Sequence, residues 1–155
     1  MGGNGAYSKT WGGIPHENRS HIALPNRIDG HKILLQGKDP FQRKFPMNSN
    51  SENPIYLCAS TNLQTGVIKI SSIAIYDKHR LIKTIDLEFD TLNNILPYKN
   101  GKGSHMHLWE KNEMGDIGRR KHNKKNIFPI PKEFQPLINK IETYNKQMNT
   151  WKRKN

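Results

Sequence analysis

The chain has 155 residues, of which 34% are hydrophobic and 25% charged, with a formal net charge of +12. That length suits one domain with a modest core. It excludes a helical membrane protein, because no stretch approaches the roughly 18 consecutive apolar residues of a span. The one cysteine, Cys58, excludes an intramolecular disulfide framework, and its apolar setting (Ile55, Tyr56, Leu57, Ala59) reads as a buried, inert thiol.

The N-terminus shows no apolar signal core, so a cytoplasmic location, in the producing or a target cell, is expected. The charge is uneven. Residues 101–155 hold thirteen Lys/Arg against five Asp/Glu, a net of +8. Such clustering points to a polyanion, because cationic side chains that neutralise phosphates release condensed counterions. Nucleic acid is therefore the expected partner, with RNA favoured and no membrane.

In chain order, residues 1–30 read as an irregular segment rich in glycine and interrupted by Pro15 and Pro25. Tyr7 and Trp11 are expected to pack on the body or on a ligand. A brief helix over residues 16–22 would place His21 one turn past Glu17. Asp29 and Gly30 signal a turn into a first strand from His31 to Gln36, with His31, Ile33 and Leu35 on one face. Residues 37–54 form a long polar connection, and residues 55–59 a short buried strand.

Residues 66–90 predict a hairpin turning at Asp77, Lys78 and His79. In its return strand Leu81, Ile85, Leu87 and Phe89 share a face, opposite Thr84, Asp86 and Glu88. In its outgoing strand the apolar phase slips at Ser71 and Ser72, which suggests a β-bulge or partial cover on both faces. Residues 91–103 are a polar loop, and residues 101–110 continue as a strand. There Met106 and Leu108 face a core, while His105, His107 and Trp109 face solvent, a cleft or a second layer. Residues 111–131 form a basic loop. A helix follows over 132–152, with Phe134, Leu137, Ile138, Ile141, Met148 and Trp151 at helical spacing.

The expected architecture is thus a single α+β domain over 1–155. It comprises an irregular N-terminal segment (1–30), a small, mainly antiparallel sheet (31–110), a basic loop (111–131) and a C-terminal amphipathic helix (132–152). The chemistry is expected around residues 101–110. Two imidazoles near neutral pKa can act as base and acid in cleaving RNA through its 2′-hydroxyl, without a metal. His105 and His107 are the first candidates and His31 the next. Lys32, Arg119 and Arg120 would hold the phosphate, with Lys121, Lys124 and Lys125 extending the basic surface. Ser104 would donate to a phosphate oxygen and Trp109 would stack on a base.

Two other readings accompany this one. His-x-His on a strand is a common pair of metal ligands, but no third ligand stands at a diagnostic spacing. No metal or other cofactor is therefore expected, and a metal-dependent nuclease is the lesser alternative. The other alternative is a protein that binds nucleic acid, or inhibits a nucleic-acid-binding protein, without chemistry.

His16, Glu17, Asn18, Arg19, Ser20, His21 and Ile22, the turn at Asp29, Gly30, His31 and Lys32, the central hairpin, and Gly103, Ser104, His105, Met106 and His107 together carry a resemblance. Over residues 15–125 the chain resembles the nuclease domains of bacterial polymorphic toxins and phage-associated proteins, the group that includes barnase, the EndoU nucleases, nuclease colicins and RelE. The long C-terminal helix and the glycine-rich start do not follow from that pattern. The resemblance implies metal-independent RNA cleavage by His and Arg/Lys side chains, and a cognate, acidic immunity protein.

Overall fold

The computed structural model describes residues 10–11, 14–15, 21–36, 45–46, 48–49, 51–62, 64–111, 117–119 and 126–154. Nine strands and one α-helix lie among them. They are β1 (Thr10–Trp11), β2 (Ile14–Pro15), β3 (Ile22–Ile28), β4 (His31–Leu35), β5 (Ile55–Thr61), β6 (Ile68–Asp77), β7 (Arg80–Asp86), β8 (His105–Lys111), β9 (Ile117–Arg119) and α1 (Gln135–Lys154). β1 and β2 pair with each other, and β3 to β9 form one sheet in chain order. The fold is α+β with a mainly antiparallel sheet and a C-terminal helix, as the pattern of elements predicts.

β4 and β5 are the one parallel pair in that sheet. A parallel pair needs a crossover of a dozen residues or more, which accounts for the long polar connection between them. Two tight hairpins set the neighbouring registers. Asp29 and Gly30 have φ of 53° and 79°, and Lys78 and His79 have 50° and 67°. Positive φ at both central residues matches the twist of the flanking strands.

Both faces of the sheet are covered. On one, Ile33, Leu57, Ile70, Ile73, Ile85, Leu87 and Met106 pack with Leu137, Ile138 and Ile141 of α1. On the other, Leu34, Tyr56, Cys58, Ala74, Tyr76, Leu81 and Trp109 pack with Phe45 from the crossover. The Tyr76 hydroxyl donates to the Pro46 carbonyl at 2.5 Å and holds that segment down. Burial, followed by the nearby Cys58 and Tyr56, pushes the Tyr76 phenol well above the usual tyrosine range.

Several expectations change here. Residues 22–28 are a strand, β3, rather than irregular chain; its Pro25 is tolerated because, among the described residues, β3 is an edge strand paired with β4 alone. The bulge at Ser71 is present, since Cys58 opposes Ser72 and Ala59 opposes Ile70. A second irregularity lies between Ile75 and Tyr76, which oppose Lys83 and Leu81. The extra residue, Ile82, turns Leu81 to the face opposite Ile85 and Leu87, so these three do not share one. The basic stretch after β8 is not wholly loop, because β9 pairs with β8 and Phe128 bridges to Met106. The expected helix at 16–22 falls mostly on residues 16–20, which lie outside the described residues, as does Tyr7.

One device ties α1 to the sheet. Past the Ser71 bulge, Ile70 has no partner on β7, and the Asn145 side chain takes the place of a strand. Its Oδ1 accepts from Ile70 N at 2.8 Å and its Nδ2 donates to Ile70 O at 2.9 Å. Both groups are buried, where an unpaired backbone donor or acceptor is costly.

Candidate active site

Register brings the polar residues of β6, β7 and β8 together. Cys58, Ser72, Asp86 and His105 form one cross-strand row, and Tyr56, Ala74, Thr84 and His107 form the next. All point to the face of the second core. Asp86 is thus directly opposite His105 and diagonal to His107, within reach of both.

The side-chain atoms converge tightly. His107 Nε2 lies 3.1 Å from Asp86 Oδ2, His105 Nε2 lies 3.7 Å from the same oxygen, and the two Nε2 atoms are 3.1 Å apart. The rings meet edge to face, with centroids 4.7 Å apart. His107 is fully buried, whereas the His105 and Asp86 side chains keep 12% and 29% of their exposure, so solvent reaches the cluster from their side.

Each member is held from behind. His105 Nδ1 donates to Gly103 O at 2.8 Å, and His107 Nδ1 donates to Asn126 O at 2.7 Å. A carbonyl can only accept, so both Nδ1 atoms carry hydrogen and both Nε2 atoms face the cluster. The Ser72 hydroxyl donates to Asp86 Oδ1 at 3.2 Å, leaving Oδ2 for the histidines. Glu88 Oε2 lies 3.6 Å from His105 Nδ1, adding negative charge behind that ring.

The backing carbonyls are themselves fixed. Gly103 has φ of 83°, and a Cβ there would stand 2.1 Å from Pro97 O, so only glycine fits. Asn126 accepts from Leu108 N at 2.9 Å through Oδ1, pinning the chain that carries its carbonyl.

The other candidates are dispersed or re-assigned. Trp109 is 9% exposed, donates from Nε1 to Thr84 Oγ1 at 2.9 Å and meets Phe45 edge-on at 5.3 Å. It is a core residue and not a base-stacking platform. Ser104 is 1% exposed and its hydroxyl accepts from Glu88 N at 3.0 Å, so it fastens the loop and does not face a phosphate. His31 and Lys32 stand on β4, four strand steps or about 19 Å from β8 at ordinary strand spacing. His31 Nδ1 pairs with Asn53 Oδ1 at 2.8 Å and braces the β3–β4 turn. Burial and then the Arg27 charge lower the Lys32 pKa below the usual lysine range. Neither belongs to the cluster. Arg119 lies on β9 opposite Trp109, and Arg120, Lys121, Lys124 and Lys125 lie outside the described residues.

Two imidazoles whose Nε2 atoms meet cannot stand on opposite sides of one phosphate, as separate acid and base would. Asp86, in contrast, enters the site unforeseen. The sequence signal for it was its place on the polar face of the return strand; the pairing of β7 with β8 supplies the rest. Asp86, His105 and His107 are also the described residues whose ligand atoms could hold a metal ion together. No family model, curated protein or solved structure matches the chain. Among the described residues, no helix is long and apolar enough to cross a membrane.

Proposed function

We propose that this protein cleaves the phosphodiester backbone of a nucleic acid, RNA in the first instance, at the Asp86–His105–His107 cluster. One observation carries the reading. Two inward-facing imidazole nitrogens and a carboxylate oxygen converge within 3.1–3.7 Å, in a cluster that solvent reaches through His105 and Asp86. Lone pairs this close repel unless a positive charge lies among them, and a held positive charge is what a phosphate oxygen seeks as charge builds in the transition state. The basic run that begins on β9, opposite Trp109, supplies further attraction for a polyanion.

In RNA the 2′-hydroxyl attacks phosphorus, its proton passes to a base, and the departing 5′-oxygen takes a proton. His105, the more accessible ring, is placed to meet the substrate beside the partly exposed Asp86 carboxylate, and the buried His107 supports both from behind. The setting is that of a toxin or phage-conflict effector acting in the cytoplasm of the producing or target cell, restrained by an acidic inhibitor protein.

The test is incubation of the protein with mixed RNA, and separately with DNA, beside Asp86→Asn and His105→Ala variants whose folding is verified by circular dichroism. Cleavage by the wild type and its loss in both variants are expected. A mobility shift of the RNA with no cleavage under any metal condition would replace the enzyme with a binding protein.

A further inference from the structure

The positive charge in this cluster has two possible carriers, a proton or a metal ion. We propose that Asp86, His105 and His107 form a binding site for a divalent transition-metal ion of the zinc class, with at least one coordination position left for water or substrate. The inference uses the residues of the proposed reaction centre but does not depend on nuclease activity.

The geometry argues for it in three ways. First, the size is right. A triangle with edges of 3.1, 3.1 and 3.7 Å has a circumscribed radius of about 1.9 Å, against metal–ligand distances of about 2.0–2.2 Å for His and Asp on zinc. An ion at those distances sits just outside the plane of the three donors, binding them on one side and leaving the other side open.

Second, the donors are prepared as ligands. A histidine ligand must present a ring nitrogen without hydrogen, and its other nitrogen ordinarily donates to a carbonyl or carboxylate. Both rings do so here, through Gly103 O and Asn126 O. The carboxylate is likewise braced, by the Ser72 hydroxyl on its far oxygen. A pair that merely shared a proton would need one such arrangement; three independently backed donors aimed at one point are a coordination sphere.

Third, the donor set selects the ion. Two imidazoles and one carboxylate suit zinc, iron, cobalt or nickel, whereas calcium and magnesium favour sets built from oxygen. Three protein ligands with an open position characterise catalytic rather than structural zinc. Full burial of His107 keeps one ligand beyond solvent, while the partial exposure of His105 and Asp86 admits the ion.

The test is calorimetric titration of Zn2+ into EDTA-treated protein at pH 7.5, with Co2+ as a spectroscopic probe. One site per chain is expected, with the visible absorption of low-coordinate Co2+. Asp86→Asn, near-isosteric and partly exposed, should weaken Zn2+ binding at least tenfold, and His105→Ala should remove the Co2+ spectrum. Variants His31→Ala and His79→Ala control for other histidines and should bind as the wild type does. Acidification from pH 7.5 to 5.5 should weaken binding, because protons compete for the same nitrogens. The proposal is overturned if the wild type takes up no Zn2+ at 100 µM, or if Asp86→Asn and His105→Ala bind it unchanged. Bound metal without nucleic-acid cleavage would refute the nuclease alone. Cleavage by protein that binds no metal would refute the metal site alone.

Discussion

Replacing Gly103 with alanine tests how the loop before β8 aims His105. The added Cβ would lie 2.1 Å from Pro97 O and 3.0 Å from Pro97 C. Both neighbours are backbone, so no side chain can swing aside. A left-handed alanine costs about 1–2 kcal/mol on conformational grounds alone. Relieving the collision must also displace the Leu96–Pro97 backbone from Ser104, whose N donates to Leu96 O at 3.0 Å. Loss of that bond adds about 1 kcal/mol. Gly103→Ala should therefore cost about 2–3 kcal/mol in urea denaturation. Gly101→Ala is the internal control, because Gly101 also has positive φ (79°) but nothing lies within 4 Å of its Cβ. It should show only the conformational part. Gly103→Ala should also weaken Zn2+ binding by about 10–100-fold, the scale set by displaced partners behind a metal ligand, whereas Gly101→Ala should leave it unchanged. Equal effects of the two substitutions on stability and on metal affinity would show that the contact of Gly103 with Pro97 does not aim His105.

Two further outcomes follow from the packing. Asn145→Ala removes the side chain that pairs both backbone groups of Ile70; it should lower unfolding free energy by about 2–4 kcal/mol, measured by chemical denaturation, while Asn139→Ala on the exposed face of α1 should change it little. Tyr76 has a folded-state pKa above its unfolded value, so its contribution is fully present below the unfolded pKa and is lost as pH rises past it toward the folded one. Unfolding free energy should accordingly decline above about pH 10, and Tyr76→Phe should flatten that decline at a constant cost from the lost bond to Pro46.

Much of the site lay open in the sequence, and the missing part has a definite physical cause. Alternation alone separates Met106 and Leu108 from His105, His107 and Trp109, and the two groups do take opposite faces. The same rule places Asp86 on a polar face. It does not say which strand lies beside β7, because that depends on where the loop over residues 91–103 delivers the chain. The second core layer was one of three readings of that face, and the sequence did not select it for a different reason. Thr84, Ser72, His107 and Trp109 look like a solvent-facing set, yet each is buried with hydrogen-bond partners, which removes the usual penalty. β3 escaped detection because Pro25 and Asn26 interrupt its alternation, which an edge strand tolerates. The Ile82 bulge escaped because an inserted residue reverses facing without leaving a mark in composition. His31 and Lys32 drew attention as neighbours in a motif, but β4 and β8 are kept apart by three strands.

In the proposed centre, two imidazoles, each locked with hydrogen on Nδ1, and one carboxylate surround a single metal cation. Anomalous diffraction at the zinc absorption edge, from crystals grown with one equivalent of Zn2+, tests it most directly. One strong anomalous peak is expected about 2.0–2.2 Å from His105 Nε2, His107 Nε2 and Asp86 Oδ2, with a further ligand on the open side. Zinc found elsewhere, with these three side chains hydrogen-bonded to one another and no peak among them, would contradict it.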